Sequence, residues 1–595
     1  MPTKVVHSLP TAKKTAIYKD ILLFVAVWIV LYVFLITTYK YHFSMTEQIQ
    51  LFVYDWDYVW DLLAEPGGFA MLIGRFLVQF YVNPYIGATV LASVLTLTGV
   101  QTALIARRIA PGSDWFLLYL LPVATLFFVQ LDFNFRMQGI VAFSIMLYAT
   151  LVFMQLKELK WQLIYAVIAV PALFILAGSV SMLFGVAIFL ITWIKHPEKF
   201  YWGFVPLILA AAISYFSVRM AIIGEFRFSF LPDMYCEPKL HPWRMVYFPW
   251  GAVLLMILVS WLLRGVKPFK PPLSIVSAFV QIVTLILIVY SLTPQYGGLK
   301  SNHYKAIDSY ARQGDWGKVL SLCEGKLNNY LYLCNLNIAL ANLGEIGNKA
   351  FFYDQRGPQG MIIDWGNNYQ SAVLLCDLHY TIGNIAGARH YAFEGNVINN
   401  NESPRMLKRL IQTTLIYGDF RTADRYIRTL EKTLFYRKWA KEQRRFLFND
   451  EAINQDPELG LKRRMMVDVN YLYTNHEFPY VLQTLAEKNP GNRAAIEYLG
   501  VLALTLKDVK TFEEWIKIYY GKEDSPALPL SFQEALLIIH EGDTEQWQEM
   551  GITGPVAQRF REFKRAILTT QNNPSQASII GSQFRNTYWF YYMFK

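Results

Sequence analysis

Long apolar runs fill the chain as far as Leu292, whereas from Lys300 onward charged and polar residues recur every few positions, in the rhythm of helices that face water. A bilayer-crossing helix needs about 20 apolar residues. The runs Ile21–Thr38, Ile86–Ala106, Trp115–Val129, Gly139–Met154, Gln162–Ala177, Val180–Ile194, Phe200–Val218, Val246–Leu263 and Leu273–Leu292 therefore predict about nine spans. The pattern as a whole predicts an all-α protein, with a polytopic transmembrane helical domain over residues 1–295 and a soluble helical domain over 296–595. No small-residue cleavage site follows Ile21–Thr38, so that run reads as a retained anchor.

Basic residues orient the spans. Lys4, Lys13, Lys14 and Lys19 precede the first, and alternate loops carry Arg107–Arg108, Lys157 with Lys160, Lys195 with Lys199, and Arg264 with Lys267 and Lys270. With these clusters on the cytoplasmic face, the loops 39–85, 131–138 and 219–245 and the C-terminal domain lie outside the cytoplasm. That arrangement implies a bacterial inner-membrane protein with a periplasmic C-terminal domain. It depends on Gln162–Ile194, which is either two short helices around Gly178–Ser179 or one tilted helix that reverses the sidedness of everything after it. Lysines at both ends favour the two helices.

In the second half, short helical patterns come in pairs joined by tight turns at Gly314-Asp-Trp, Gly383-Asn-Ile and Gly418-Asp-Phe. A further unit begins at Asn489-Pro-Gly-Asn-Arg, with Pro490 near a helix start. These units, at about 302–326, 369–398, 404–433 and 491–521, resemble tetratricopeptide repeats without a strict period of about 34 residues. The resemblance implies an α-solenoid whose concave face binds proteins or packs on its own membrane domain.

Charge and cysteines narrow the picture. The net charge of +10 arises largely in the clusters between spans, and no nucleic-acid motif is present, so nucleic acid is not the expected partner. The four cysteines, Cys236, Cys323, Cys334 and Cys376, are too irregularly spaced for a disulfide framework. They read either as a Cys323–Cys334 bridge with two thiols or as four thiols. No Ser-His-Asp set, Walker loop, Rossmann glycine run or His-Glu-x-x-His motif occurs in the soluble half, so any catalysis belongs to the membrane half.

Candidate chemistry gathers in the outer loops. Asp55, Asp57 and Asp61 stand among aromatics just beyond the first span. Carboxylates so near hydrocarbon call for a metal ion, a basic partner or an acid–base role. The alternative is an interfacial helix with aromatic anchors and a solvated acidic face. Asp132, Asn134 and Arg136 share one side of the second loop if it is extended, where Asp132 and Arg136 are either part of a site or a plain ion pair. The third loop supplies Arg219, Glu225, Arg227, Asp233, Glu237, Lys239, His241 and Arg244. Basic groups there suit a phosphate or an anionic lipid headgroup, or are ordinary interfacial charges.

Acidic first and second outer loops, a cytoplasmic N-terminus and an outer C-terminal domain together resemble the GT-C class of membrane glycosyltransferases, which includes protein O-mannosyltransferases and oligosaccharyltransferases. The chain is also similar to a family of multispanning proteins from Bacteroidota. The GT-C resemblance implies transfer of a sugar from a polyprenyl-phosphate or polyprenyl-diphosphate carrier to an exported protein. Asp55 or Asp57 would match the first-loop acid, as base or metal ligand, and Asp132 the second-loop acid. Arg136, Arg219, Arg227, Lys239 and His241 would supply groups for the carrier phosphate, and Mg2+ or Mn2+ is the cofactor such acids would hold. The Trp-Trp-Asp triplet of N-linked oligosaccharyltransferases is missing, which points to Ser or Thr acceptors. Two other readings remain, a membrane scaffold that recruits envelope proteins and a transporter for lipid-linked glycans.

Overall fold

The computed structural model describes residues 11–111, 115–132, 134–238, 242–266, 273–467, 477–521, 526–571 and 573–595. Among them the fold is all-α: no strand forms, and a single isolated antiparallel bridge joins Phe135 to Cys236. The chain divides into two compact units, Met1–Asn302 with Thr433–Phe435, and His303–Lys432 with Tyr436–Lys595.

The first unit is built from α1 (Thr11–Glu47), α2 (Trp56–Ala64), α3 (Gly68–Val78), α4 (Pro84–Ile109), α5 (Phe116–Gln130), α6 (Gln138–Gln155), α7 (Leu159–Ala177), α8 (Val180–Lys195), α9 (Phe204–Arg219), α10 (Phe226–Phe230), α11 (Phe248–Leu262) and α12 (Leu273–Tyr296). Among the described residues seven helices are long and apolar enough to cross a membrane: Tyr18–Glu47, Pro84–Ile109, Gln138–Gln155, Leu159–Ala177, Pro197–Arg219, Arg244–Gly265 and Leu273–Tyr296. Two of the runs read as spans form shorter helices. α5 and α8 have 15 and 16 residues, and at 1.5 Å per residue they rise about 22–24 Å, less than a ~30 Å hydrocarbon core.

The first helix is longer than its apolar run suggested. It kinks at Tyr39 (φ −121°, ψ 19°) and continues to Glu47, burying His42, Thr46 and Glu47. The first loop is correspondingly shorter than 39–85. α7 and α8 separate at Gly178–Ser179, where Gly178 adopts φ +81° and a methyl group would lie 2.5 Å from Met234 Sδ.

α4 packs against α1, α5 and α6. Small residues permit the close approach: a methyl at Gly87 would meet the Phe43 ring at 2.9 Å, and one at Gly99 would meet Phe24 at 3.1 Å and Val123 at 3.2 Å. Polar side chains then fasten the helices. Ser144 Oγ donates to Gln101 Oε1 (2.9 Å) between α6 and α4, and Thr102 Oγ1 donates to the carbonyl of Tyr119 (2.8 Å) between α4 and α5.

The second unit is a set of helix pairs whose turns follow one recipe. Gly314, Gly344, Gly383 and Gly418 adopt φ of +72°, +68°, +85° and +76°, the left-handed conformation that ends a helix. The next N–H closes the turn, with Asp315 N to Tyr310 O at 3.0 Å, Glu345 N to Leu340 O at 2.8 Å, Asn384 N to His379 O at 2.9 Å and Asp419 N to Thr414 O at 2.9 Å. The Asp315 and Asn384 side chains cap the following helices by accepting from Lys318 N and Gly387 N. Lys507–Asp508 makes the same turn, with φ +58° at Lys507 and Asp508 N to Ala503 O at 3.0 Å.

This unit carries a buried charge network. Arg405 bridges Asp308 and Asp377 at 2.6 Å each, and Arg409 Nη2 reaches Asp377 Oδ1 at 3.2 Å. The Arg409 guanidinium lies 3.5 Å over the Tyr380 ring, whose hydroxyl donates to Glu458 Oε1 at 2.8 Å. Burial pushes the Asp377 carboxyl up, but Arg405 and Arg409 outweigh it and hold it below the usual carboxylate range. All four cysteines are free and buried, so the Cys323–Cys334 bridge is excluded, and each thiol packs as a small apolar group.

Candidate functional site

The second and third loops, about a hundred residues apart in sequence, are laced together. Arg136 N donates to Tyr235 O at 2.8 Å and Glu237 N to Asn134 O at 3.0 Å, flanking the Phe135–Cys236 bridge. The turn Pro232–Tyr235 is clamped in turn onto the junction of α7 and α8. Tyr235 OH donates to Ala177 O (2.6 Å) and accepts from Val180 N (3.1 Å), while Met234 Sδ accepts from Ser179 N (3.3 Å).

Asp132 and Asp233 both belong to this knot and are buried, at 4% and 3% exposed. Asp132 Oδ1 accepts from the backbone N–H of Asn134 (3.0 Å) and from its side-chain amide (2.9 Å), a turn motif of its own loop. Asp233 Oδ1 accepts from Tyr247 OH at 3.1 Å, whereas Oδ2 is buried without a hydrogen-bond partner among the described residues. The Cys236 thiol lies beside both acids. Burial first, and then Asp132 and Asp233, push its ionisation well up, with Arg136 acting in the opposite sense.

The cations are already engaged. Arg136 pairs with Glu237 at 2.8 Å, so the Asp132–Arg136 ion pair open to the sequence gives way to a partner across the knot. Arg227 pairs with Glu225 at 2.7 Å and donates to Pro238 O at 3.1 Å. The hydrogen bond to Glu225 holds the Arg227 guanidinium above its ordinary value, and Asp233 and Tyr247 contribute in the same direction. Arg219 stands apart at the end of α9, donating to Tyr215 OH at 3.0 Å. Lys239 and His241 lie outside the described residues.

Asp55 and Asp57 sit on a different element. Asp55 is the extended residue that precedes α2, and Asp57 is exposed in its first turn. α2 rests on α3, held through Tyr58, which accepts from the buried Arg75 (3.2 Å) and donates to Leu51 O (2.8 Å). Trp56 and Trp60 are 76% and 65% exposed, as membrane-interface anchors are. The geometry thus gathers Asp132, Arg136 and Arg227 and leaves Asp55, Asp57 and Arg219 on other elements.

Asp233, Glu237 and Tyr247 complete the knot. The first two were visible in the sequence only as loop charges, and Tyr247 was hidden inside an apolar run. Among the described residues no three His, Cys, Asp or Glu side chains are placed to hold a metal ion. The set Asp55, Asp57 and Asp132 therefore does not fit the divalent cation that the resemblance implied.

The sequence family described as a family of unknown function (DUF6057) matches residues 14–595, and so spans both units. No curated protein and no solved structure matches the chain.

Proposed function

We propose, for a chain that belongs to the DUF6057 family, a GT-C-like glycosyltransferase embedded in the bacterial inner membrane. It moves a sugar or oligosaccharide from a polyprenyl-phosphate or polyprenyl-diphosphate carrier to Ser or Thr of exported proteins. In this reading the chain crosses the membrane about nine times, with α5 and α8 as its short crossings. The second unit lies outside the cytoplasm and presents the acceptor on a tetratricopeptide-like surface.

The observation that carries the proposal is the knot of second and third loops, which brings two buried carboxylates and two arginines to one end of the long apolar helices. The chemistry asks for little else. The acceptor oxygen attacks the anomeric carbon, the bond from that carbon to the phosphate oxygen breaks, and its electron pair leaves with the phosphate. A carboxylate takes the hydroxyl proton, and an arginine lowers the energy of the departing phosphate. Asp132 is the carboxylate the resemblance singles out, and Arg136 or Arg227 would serve the phosphate after exchanging its present carboxylate partner.

The test is the glycan content of envelope proteins in cells lacking the gene. These cells are complemented with wild type, Asp55→Ala, Asp57→Ala or Asp132→Ala, each checked for membrane abundance. Loss of glycans in the null, restored by wild type, supports the transferase, and a well-expressed variant that fails to restore them gives its carboxylate a role in transfer. Asp57, exposed on α2 and on a different element from Asp132, favours a second reading, a scaffold that recruits envelope proteins. Full glycosylation in the null would leave the scaffold standing and remove the transferase.

A further inference from the structure

The knot contains two buried carboxylates, and their hydrogen bonding separates them. Oδ1 of Asp132 is committed to two donors of Asn134, both within its own turn. Asp233 is held differently. The residues that follow it are anchored, Met234 and Tyr235 on the α7–α8 junction and Cys236 by the bridge, so the backbone fixes the position of its carboxyl. One oxygen accepts from a tyrosine hydroxyl, and the other is buried with no partner among the described residues.

A buried carboxylate oxygen left without a donor is costly, on the order of 1–3 kcal/mol or more, and native proteins tolerate such atoms where a ligand supplies the missing donor. The surroundings define which donor fits. Among the described residues, Tyr247 and Arg227 face Asp233 and the Cys236 thiol lies beside it, with Asp132 and Arg136 near that thiol. Each of the two arginines already holds a carboxylate, Glu225 or Glu237, and the acids do not form a metal-binding set. A neutral hydroxyl is the donor that requires no present ion pair to break, and Tyr247, 37% exposed, already offers one to Oδ1.

We infer that Asp233, and not Asp132, is the carboxylate that receives the acceptor hydroxyl and takes its proton during transfer, with Tyr247 as the residue that positions it. The inference rests on the transferase reading. The acceptor oxygen bonds to the anomeric carbon, the carrier phosphate leaves with the electron pair of the broken bond, and the hydroxyl proton passes to Asp233 Oδ2.

The full chain is tested in cells lacking the gene, with Asp233→Asn, Asp132→Asn and Tyr247→Phe each matched to wild type in membrane abundance and thermal unfolding. Transfer is read as glycopeptides of envelope proteins by mass spectrometry. Initial rates come from membrane vesicles carrying their own lipid-linked glycan. Asp233→Asn, which keeps shape and loses the proton acceptor, is expected to lower the rate about 100-fold or more, and Asp132→Asn to lower it less than about 10-fold. Tyr247→Phe is expected to lower kcat about 10-fold with KM for the acceptor unchanged, because the carboxyl loses the hydroxyl that holds its Oδ1. A merely structural tyrosine would not lower kcat at matched abundance and thermal unfolding.

If the null loses its glycans and Asp233→Asn transfers at the wild-type rate, the transferase stands and the inference is overturned. If Tyr247→Phe leaves kcat at the wild-type value, its positioning role is overturned. A null with all its glycans removes the transferase itself, and Asp233's role with it.

Discussion

Each unit buries a group of charges, and the two groups are finished differently. Around Arg405, both oxygens of Asp377 are occupied, Arg405 spans two acids, and Arg409 supplements its hydrogen bond with the Tyr380 ring. In the knot of the first unit, Arg136 and Arg227 are satisfied while Asp233 keeps one oxygen without a donor among the described residues. Burial of charge therefore does not mark a site by itself. What distinguishes the two is the kind of group left over: around Arg405 it is one nitrogen, Nη1, of an Arg409 guanidinium already paired with Asp377 and stacked on Tyr380, and in the knot it is an acceptor oxygen, a group that can take a proton.

The most forceful way to break this contrast is to disrupt the Arg405 network. Arg405→Met leaves Asp308 without this cation and Asp377 with Arg409 alone, and a destabilisation of about 3–5 kcal/mol is expected, measured by chemical denaturation of the full chain in detergent. Replacing Asp308 by Leu in the same variant should recover part of it, since that removes one buried charge while Asp377 keeps Arg409. A loss under about 1 kcal/mol for Arg405→Met would place this network with weak surface pairs and end the contrast.

An effect of similar size, switched by pH, comes from Glu534, a buried carboxyl without an ion pair among those described. Burial pushes it up to about 8, against the opposing pull of the Tyr588 N–H and Arg559. Its Oε2 accepts from Tyr588 N at 2.6 Å. The unfolded chain loses this proton near the ordinary value of 4.5, whereas the folded chain keeps it to about 8. Between those values the native state binds more protons, so stability falls as pH rises. Glu534→Gln keeps the acceptor and removes the titration. It should lie within about 1 kcal/mol of wild type near pH 5 and be more stable by about 4 kcal/mol at pH 9, read from denaturation midpoints at the two pH values.

What the sequence disclosed and what it withheld divide along the range of the interactions. The change from apolar runs to mixed helices, the break at Gly178–Ser179 and the turns at Gly314, Gly383 and Gly418 are local, and residue type announces each. Lys507–Asp508 makes the same turn unannounced because a lysine occupies the glycine position. α1 outruns its apolar stretch because the residues from Tyr39 to Glu47 are mixed in character, and tertiary burial keeps them helical. The site is the least legible part. Asp132 and Arg136 were visible as a pair in one short loop, yet Arg136 turns to Glu237, 101 residues away. No spacing rule links them, and Asp233 acquires its character only from what surrounds it in space.

The knot itself offers the gentlest test. Arg136 and Glu237 are 11% and 23% exposed and joined by one 2.8 Å contact, but the loops that carry them are also held by two backbone hydrogen bonds and by the clamp of Met234 and Tyr235. Glu237→Gln retains the side-chain shape and an acceptor oxygen, so the expected cost is about 1 kcal/mol or less. The thermal midpoint of the full chain in detergent should move only slightly. If the loops depend on their backbone ladder, that small shift follows, and Arg136 is free to exchange Glu237 for a phosphate without the knot coming apart. A cost near the 3–5 kcal/mol expected of the Arg405 network would mean that the ion pair itself holds the loops together. Arg136 would then be structural, and of the two arginines only Arg227 would remain to meet the leaving phosphate.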